Sequence, residues 1–439
     1  MRITASDVAL ATGGTLIGAD IEAFGLSFDS RELTAGQAFV AIVDARDGHQ
    51  YLADAATRGA AFAIVNRTMA HSSLPCVEVD DTIVALAVVG RMCRERLGGS
   101  VQQRVVGITG SVGKTSTKDL VMAVLQSQFR AVHGPSKSLN NDIGVPVTIV
   151  NAPENCNALV LEMGMRGLGE ITRLCDIASP DIGIITEVGD AHSERVGGID
   201  GVVRAKSELL NALPSNGVAI VNADSEYAMR TTKNTVAKVL TFGTSTTADI
   251  RFMINSVASD GTSTATFYYQ GESCEGYVPL PGTHMVSNAA AAVAAGVTMG
   301  MPLSLSVAGL KNALSAPHRM VWVTGTNGIR ILDDSYNANV TSMSAALRTL
   351  AETSAHKRIA VLGAMAEVAD SGSSHAQIAS LCRDLDIELI SLETDLYRTT
   401  AMSVDEVVRY LKAQSADTIV LAKGSRVAAV ERVVQAFSE

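Results

Sequence analysis

Along the chain, apolar positions gather in short continuous runs, and between these runs they recur at helical spacing. Val105, Val106 and Ile108 form one such run, which reads as a buried strand. After a glycine-rich turn, Leu120, Val121, Val124 and Leu125 fall on one face of a predicted helix. Residues 158–161 and 182–186 are further apolar strands, and a helix is predicted over 202–213. This alternation predicts a doubly wound parallel sheet. Before it, residues 36–42 predict a strand entered from a glycine turn, 52–61 a helix and 61–65 a strand. After it, residues 235–280 change to short β-like pieces such as 264–269. Residues 281–284 then open an alanine-rich helix over 288–296. From 318 the alternation resumes, with strands predicted at 329–332, 359–362, 387–390 and 418–421. The expected fold is therefore α/β in three units: residues 1–100, 101–316 and 317–439.

Composition narrows the class. Of 439 residues, 47% are hydrophobic and only 10 are proline, as in an ordered globular protein. The net charge of −10 argues against a general nucleic-acid binder. No apolar run reaches the length of a membrane span, so no membrane insertion is expected. The first residues lack the basic-then-apolar order of a secretion signal. Six cysteines are scattered without a CxxC pair, which fits a reducing compartment and no structural zinc.

The clearest chemistry lies in Gly110-Ser-Val-Gly-Lys-Thr-Ser116, between the first middle strand and the following helix. A glycine turn at a helix N-terminus points backbone N–H groups and the helix dipole at an anion. Lys114 can then reach the outer phosphates of a nucleotide, and the Thr115 hydroxyl can hold Mg²⁺. The strict phosphate-loop pattern has a glycine where this chain has Ile108, so this is a G-x-x-G-K-T variant. A plain glycine turn is the competing explanation, and the flanking strand and helix argue against it. Glu162 and His192 follow later strands. Ligands of open α/β sheets sit beyond the carboxyl ends of strands, which groups these two residues with the phosphate loop. Each alone reads more simply as a solvated loop residue, and Lys206 alone as a surface lysine. No G-x-G-x-x-G supports a dinucleotide role.

Taken together, ten phrases resemble the Mur ligase family. They are DSR (29–31), TGSVGKTS (109–116), LNNDIGVP (139–146), LEMG (161–164), AH (191–192), RAKSE (204–208), GTHMVSN (282–288), HR (318–319), DDSYNAN (333–339) and KGSR (423–426). They run in family order over essentially the whole chain. The resemblance implies a three-domain Mur ligase architecture: a small N-terminal α/β domain for the UDP-substrate, a central P-loop ATPase domain with a parallel sheet, and a C-terminal Rossmann-like domain. It implies a cytoplasmic, monomeric, ATP-dependent ligase that works through an acyl phosphate. DDSYNAN and KGSR favour the branch that adds D-alanyl-D-alanine to UDP-N-acetylmuramoyl-tripeptide.

By the same resemblance, residues Gly110, Ser111, Val112, Gly113, Lys114, Thr115 and Ser116 hold ATP phosphates. Asn288 reads adenine, Arg319 a phosphate and Asp334 the ribose. Thr115 and Glu162 serve a first Mg²⁺. His192 and Lys206 serve a second, with Lys206 carbamylated. Lys114, Glu162, His192, Lys206 and Arg319 form the catalytic group. Ser30, Arg31, Asn141, Tyr336, Asn337, Asn339, Lys423, Ser425 and Arg426 face the two joined substrates. The chain departs from the family at Met285, where asparagine is usual, at Val340, in the short 43–46 segment and at Gly363-Ala-Met365. Two other readings compete. One is a folylpolyglutamate synthase-like ligase, which shares the G-x-x-G-K-T core. The other is a non-catalytic paralog that binds UDP-sugars.

Overall fold

A computed structural model describes residues 1–438 except 45, 67–73, 102–103, 190–192, 326–327, 367 and 369. Three main sheets organise them, all of them mostly parallel. The first has five strands between Thr15 and Glu78, with its inner strands Ala38–Val40 and Ala63–Val65 buried throughout. The helix expected over 52–61 stops at Thr57. Gly59 then takes a φ of +84°, which continues the chain away from the helical course.

The second sheet has nine strands. Its centre is Val105–Thr109, with Ala158–Glu162 parallel on one side and Ile182–Ile185 parallel on the other. The chain leaves this central strand toward one edge, returns, and then crosses to the opposite side. Val105–Thr109 therefore stands at the switch point where an open α/β sheet binds ligands. Every residue of the three strands is buried, which is why they read as continuous apolar runs. The short β-like pieces of 235–280 turn out to be strands of this same sheet. Ile250–Val257 pairs parallel with Lys238–Gly243, and Ser263–Tyr269 and Glu272–Val278 add antiparallel strands.

The third sheet has six strands between Val321 and Lys423, with Thr418–Lys423 between Arg330–Asp334 and Lys357–Leu362. One apolar cluster runs from Val106 and Leu120 of the second sheet's layers to Leu347 and Leu421 of the third. Another joins Ile64 and Leu86 of the first region to Leu159 and Leu209 of the second. The alanine-rich helix, His284–Thr298, is buried from Asn288 to Gly296, and its small side chains let the helix Lys114–Gln126 approach closely. Among the described residues, no helix is long and apolar enough to cross a membrane.

Candidate active site

The carboxyl ends of the central strands open into a cavity of about 850 Å³. Its wall includes residues 110–116, Glu162, Lys206, Asn288, Arg319, Asp334 and Lys423. Val43, Asp44 and Ile83 of the first region also reach it.

The phosphate loop is held in shape by its neighbours. A Cβ on Gly110 would lie 1.9 Å from the Thr186 hydroxyl, so only glycine fits there. Thr186 spends that hydroxyl on the Val112 carbonyl at 2.6 Å. Ser111 donates through its hydroxyl to the Gly189 carbonyl and accepts from the Gly189 N–H, each at 2.9 Å. Its backbone N–H donates to the Glu187 carbonyl at 2.7 Å, so Ser111 braces the loop with both groups and does not offer the N–H expected for a phosphate. Gly113 has a φ of +84°, and a Cβ there would lie 2.8 Å from Asn288 Oδ1. The helix Lys114–Gln126 follows at once, so its dipole points at the loop. The Lys114 ammonium folds back on the Gly110 carbonyl at 2.6 Å.

Register places Glu162 opposite Ile108, level with the start of the loop. Glu162 is 1% exposed, and neither carboxylate oxygen has a hydrogen-bond partner among the described residues. A buried carboxylate in that condition is costly unless a cation serves it. With the Thr115 hydroxyl on the same cavity, the donors are hard oxygens, which fit Mg²⁺. Lys206, on the helix Ile199–Asn211, is 3% exposed and makes no hydrogen bond or ion pair among the described residues. Burial drives its amine well below the usual lysine range, and Lys114 pushes the same way. The surface-lysine explanation therefore fails. His192 lies outside the described residues.

The turn leading into the third sheet supplies Arg319, whose guanidinium stacks on the Tyr336 ring at 4.1 Å. His318 and Met320 flank it with φ of +62° and +51°. The His318 ring sits 2.8 Å from Asp333 Oδ2, tying this backbone to the end of a strand. Asp334 pairs with Lys423 at 2.5 Å, and Lys423 also donates to the Asn337 carbonyl at 2.9 Å. Burial lowers the Lys423 pKa against the pull of Asp334. Asn339 lines the cavity and also caps the helix Val340–Glu352, accepting from the Ser342 N–H at 2.9 Å. Asn141 lines it too, while accepting from the Gly144 N–H at 2.9 Å.

Four expected residues do not line the cavity. Ser30 and Arg31 lie on the outer turn Ser30–Glu32, where Arg31 pairs with Asp29 at 2.6 Å. Ser425 is buried, accepting from the Ala366 N–H at 2.8 Å. Arg426 is exposed and pairs with Glu431 at 2.9 Å. Conversely, Glu187, Asn222 and His284 line the cavity without having been singled out. Glu187 and Asn222 stand at strand ends, so the rule that grouped Glu162 with the loop reaches them as well. His284 lay within a quoted phrase but had no assigned role. At Met285, the departure from the usual asparagine, the thioether sulfur lies 3.5 Å from Asn288 Nδ2.

Comparison with known proteins follows the same lines. The Mur ligase middle-domain profile matches residues 108–296, and the profile described as "Mur ligase, glutamate ligase domain" matches residues 318–439. The UDP-N-acetylmuramoyl-tripeptide–D-alanyl-D-alanine ligase of Escherichia coli strain K12 is 33% identical, covering 100% of this chain and 99% of that ligase. A crystal structure of MurF from Acinetobacter baumannii superposes with a TM-score of 0.87 at 28% identity, covering 100% of this chain and 99% of that one. MurF ligase from Thermotoga maritima in complex with ADP gives a TM-score of 0.78 at 26% identity, over 94% and 97% of the two chains.

Proposed function

This chain belongs to the Mur ligase family, and we infer that it joins D-alanyl-D-alanine to UDP-N-acetylmuramoyl-tripeptide at the expense of ATP. One observation carries this reading. A single cavity is lined by the phosphate loop, by buried Glu162 and Lys206, which make no hydrogen bond or ion pair among the described residues, and by residues of all three sheet regions. The division at about residues 100 and 316 follows the spans of the three sheets. The enzyme works as a monomer in the cytoplasm, where ATP is at hand.

ATP is a substrate here. A carboxylate oxygen of the tripeptide attacks the γ-phosphorus, the bond to the β-phosphate oxygen breaks, and ADP leaves. The acyl phosphate then meets the amine of D-alanyl-D-alanine. Nitrogen bonds to the acyl carbon, inorganic phosphate leaves, and the amine loses a proton. Negative charge gathers in both steps, so fixed donors have the largest effect. Lys114 and the N–H groups of residues 110 and 112–116 hold the phosphates, the Ser111 N–H being taken by the Glu187 carbonyl, and Arg319, stiffened by Tyr336, adds a second cation. Asn288 and Asp334 hold the nucleoside. Tyr336, Asn337, Asn339, Asn141 and Lys423 border the joined substrates, and Ser30, Arg31, Ser425 and Arg426 shape the surrounding structure. Thr115 and Glu162 would hold one Mg²⁺, with His192 and Lys206 on a second. Bound there, Mg²⁺ supplies positive charge against the phosphates.

Lys206 is carbamylated in the working enzyme. Its buried amine is held toward the neutral form, and a neutral amine adds CO₂ with loss of a proton. The product is an anionic oxygen ligand of the kind Mg²⁺ prefers. A map of crystals grown with bicarbonate should show density beyond Nζ. Lys206→Ala should lose turnover and regain part of it with short carboxylic acids. A bare ammonium together with an alanine variant of normal rate contradicts carbamylation. The function itself is tested by phosphate release from ATP with UDP-N-acetylmuramoyl-tripeptide, with and without D-alanyl-D-alanine. Release that needs all three substrates is expected. Release that ignores D-alanyl-D-alanine overturns the reading, and no release favours the binding-only paralog.

A further inference from the structure

We propose that Lys118 is a positioning residue: it fixes segment 134–143, and through that segment it sets the affinity for the UDP-linked substrate. Lys118 lies one helical turn beyond Lys114 yet is 2% exposed. Its ammonium donates to the Pro135 carbonyl at 2.9 Å and pairs with Asp119 at 2.7 Å. A buried ammonium is costly, and a simple helix-packing role would be filled better by an apolar side chain. The contact it makes is with a segment that has neither helix nor strand between Val132–His133 and Gly144–Val150.

That segment carries Ser138, Asn140 and Asn141 to the cavity wall. It is held at several points, one of them Arg173 pairing with Asp142 at 3.1 Å near its far end. Lys118 holds its inner end at Pro135. The Gly164 N–H donates to the Asn140 carbonyl at 2.8 Å in the middle. Lys137 pairs with Glu32, in the turn that also carries Ser30 and Arg31. The inner end has no room to slide, because a Cβ on Gly134 would lie 2.8 Å from both the Met122 sulfur and the Val160 carbonyl. The helix behind the phosphate loop and the outer turn of the first region are thus joined by this one segment. Loosening its inner anchor displaces the wall that faces the UDP-linked substrate and leaves the phosphate loop as it is.

This inference rests on the reading that ATP occupies the loop end of the cavity and the UDP-linked substrate the side nearer the first region. The test uses Lys118→Met/Asp119→Asn in the full chain, which removes both charges and leaves no orphan carboxylate. The KM for UDP-N-acetylmuramoyl-tripeptide should rise about tenfold, while KM for ATP and kcat stay within about threefold. Amide exchange over 136–141 should quicken by about tenfold without substrate. A folded variant with unchanged exchange, or with both KM values raised alike, overturns the proposal. If the double variant does not fold, Glu32→Ala and Lys137→Ala test the outer anchor at an exposed pair. A selective rise of about threefold in the same KM supports the proposal, and no change counts against it. If the unmodified enzyme releases no phosphate with these substrates, the functional reading fails, while the exchange comparison still decides the anchor.

Discussion

Glu162 and Lys206 are both buried and lack hydrogen bonds among the described residues, so the fold maintains two groups that destabilise it. Such groups persist where function needs them. Glu162→Met should therefore raise the stability of the metal-free protein by about 1 kcal/mol in urea unfolding. The same variant should reduce phosphate release by on the order of a hundredfold. A less stable variant with normal turnover would falsify the role given to Glu162. Lys114→Ala removes the cation at the loop and should also reduce turnover by about a hundredfold or more. Near-normal phosphate release from it would contradict the phosphate assignment. His284 gives a pH signature. Burial, aided by Lys423 and opposed by Asp334, lowers its imidazole from 6.5 to about 4. Between those values the unfolded chain binds a proton that the folded chain does not. Stability is therefore full above about 6.5 and falls as pH drops toward about 4. His284→Gln should flatten that part of a melting-temperature profile, and an unchanged slope would show that other groups dominate.

The central strands were legible because strands buried on both faces are apolar throughout, and the phosphate loop because its glycines, lysine and flanking elements are local. The end of the helix at Thr57 was not, since composition alone does not reveal the left-handed turn at Gly59. Nor could the pieces of 235–280 be assigned to the large sheet, because strand pairing is a long-range property. Asn339 shows a different difficulty. The phrase DDSYNAN points to substrate, yet the same side chain closes a capping box with Ser342 at the start of Val340–Glu352. Asn339→Ala should lower stability by about 1 kcal/mol, and Asn339→Asp should restore most of it. Equal melting temperatures for all three proteins would remove the capping role.

For the molecule as a whole, the strand-end rule placed Glu162 beside the phosphate loop, whereas pairings such as Asp334 with Lys423 depend on how distant strands align. Glu162, Lys206 and the loop converge because the central strand stands at the switch point of the sheet. Asp334 meets Lys423 because the strands Arg330–Asp334 and Thr418–Lys423 lie side by side in register. Ser30, Arg31, Ser425 and Arg426 carry the right motif but stand off the cavity wall, a matter of packing that no local pattern encodes. On the proposed function, these three regions bring the tripeptide carboxylate to the γ-phosphate of ATP. Labelling that carboxylate with oxygen-18 and following the label into products tests it most directly. Each turnover should leave one labelled oxygen in inorganic phosphate. Phosphate formed at the normal rate without label would contradict it.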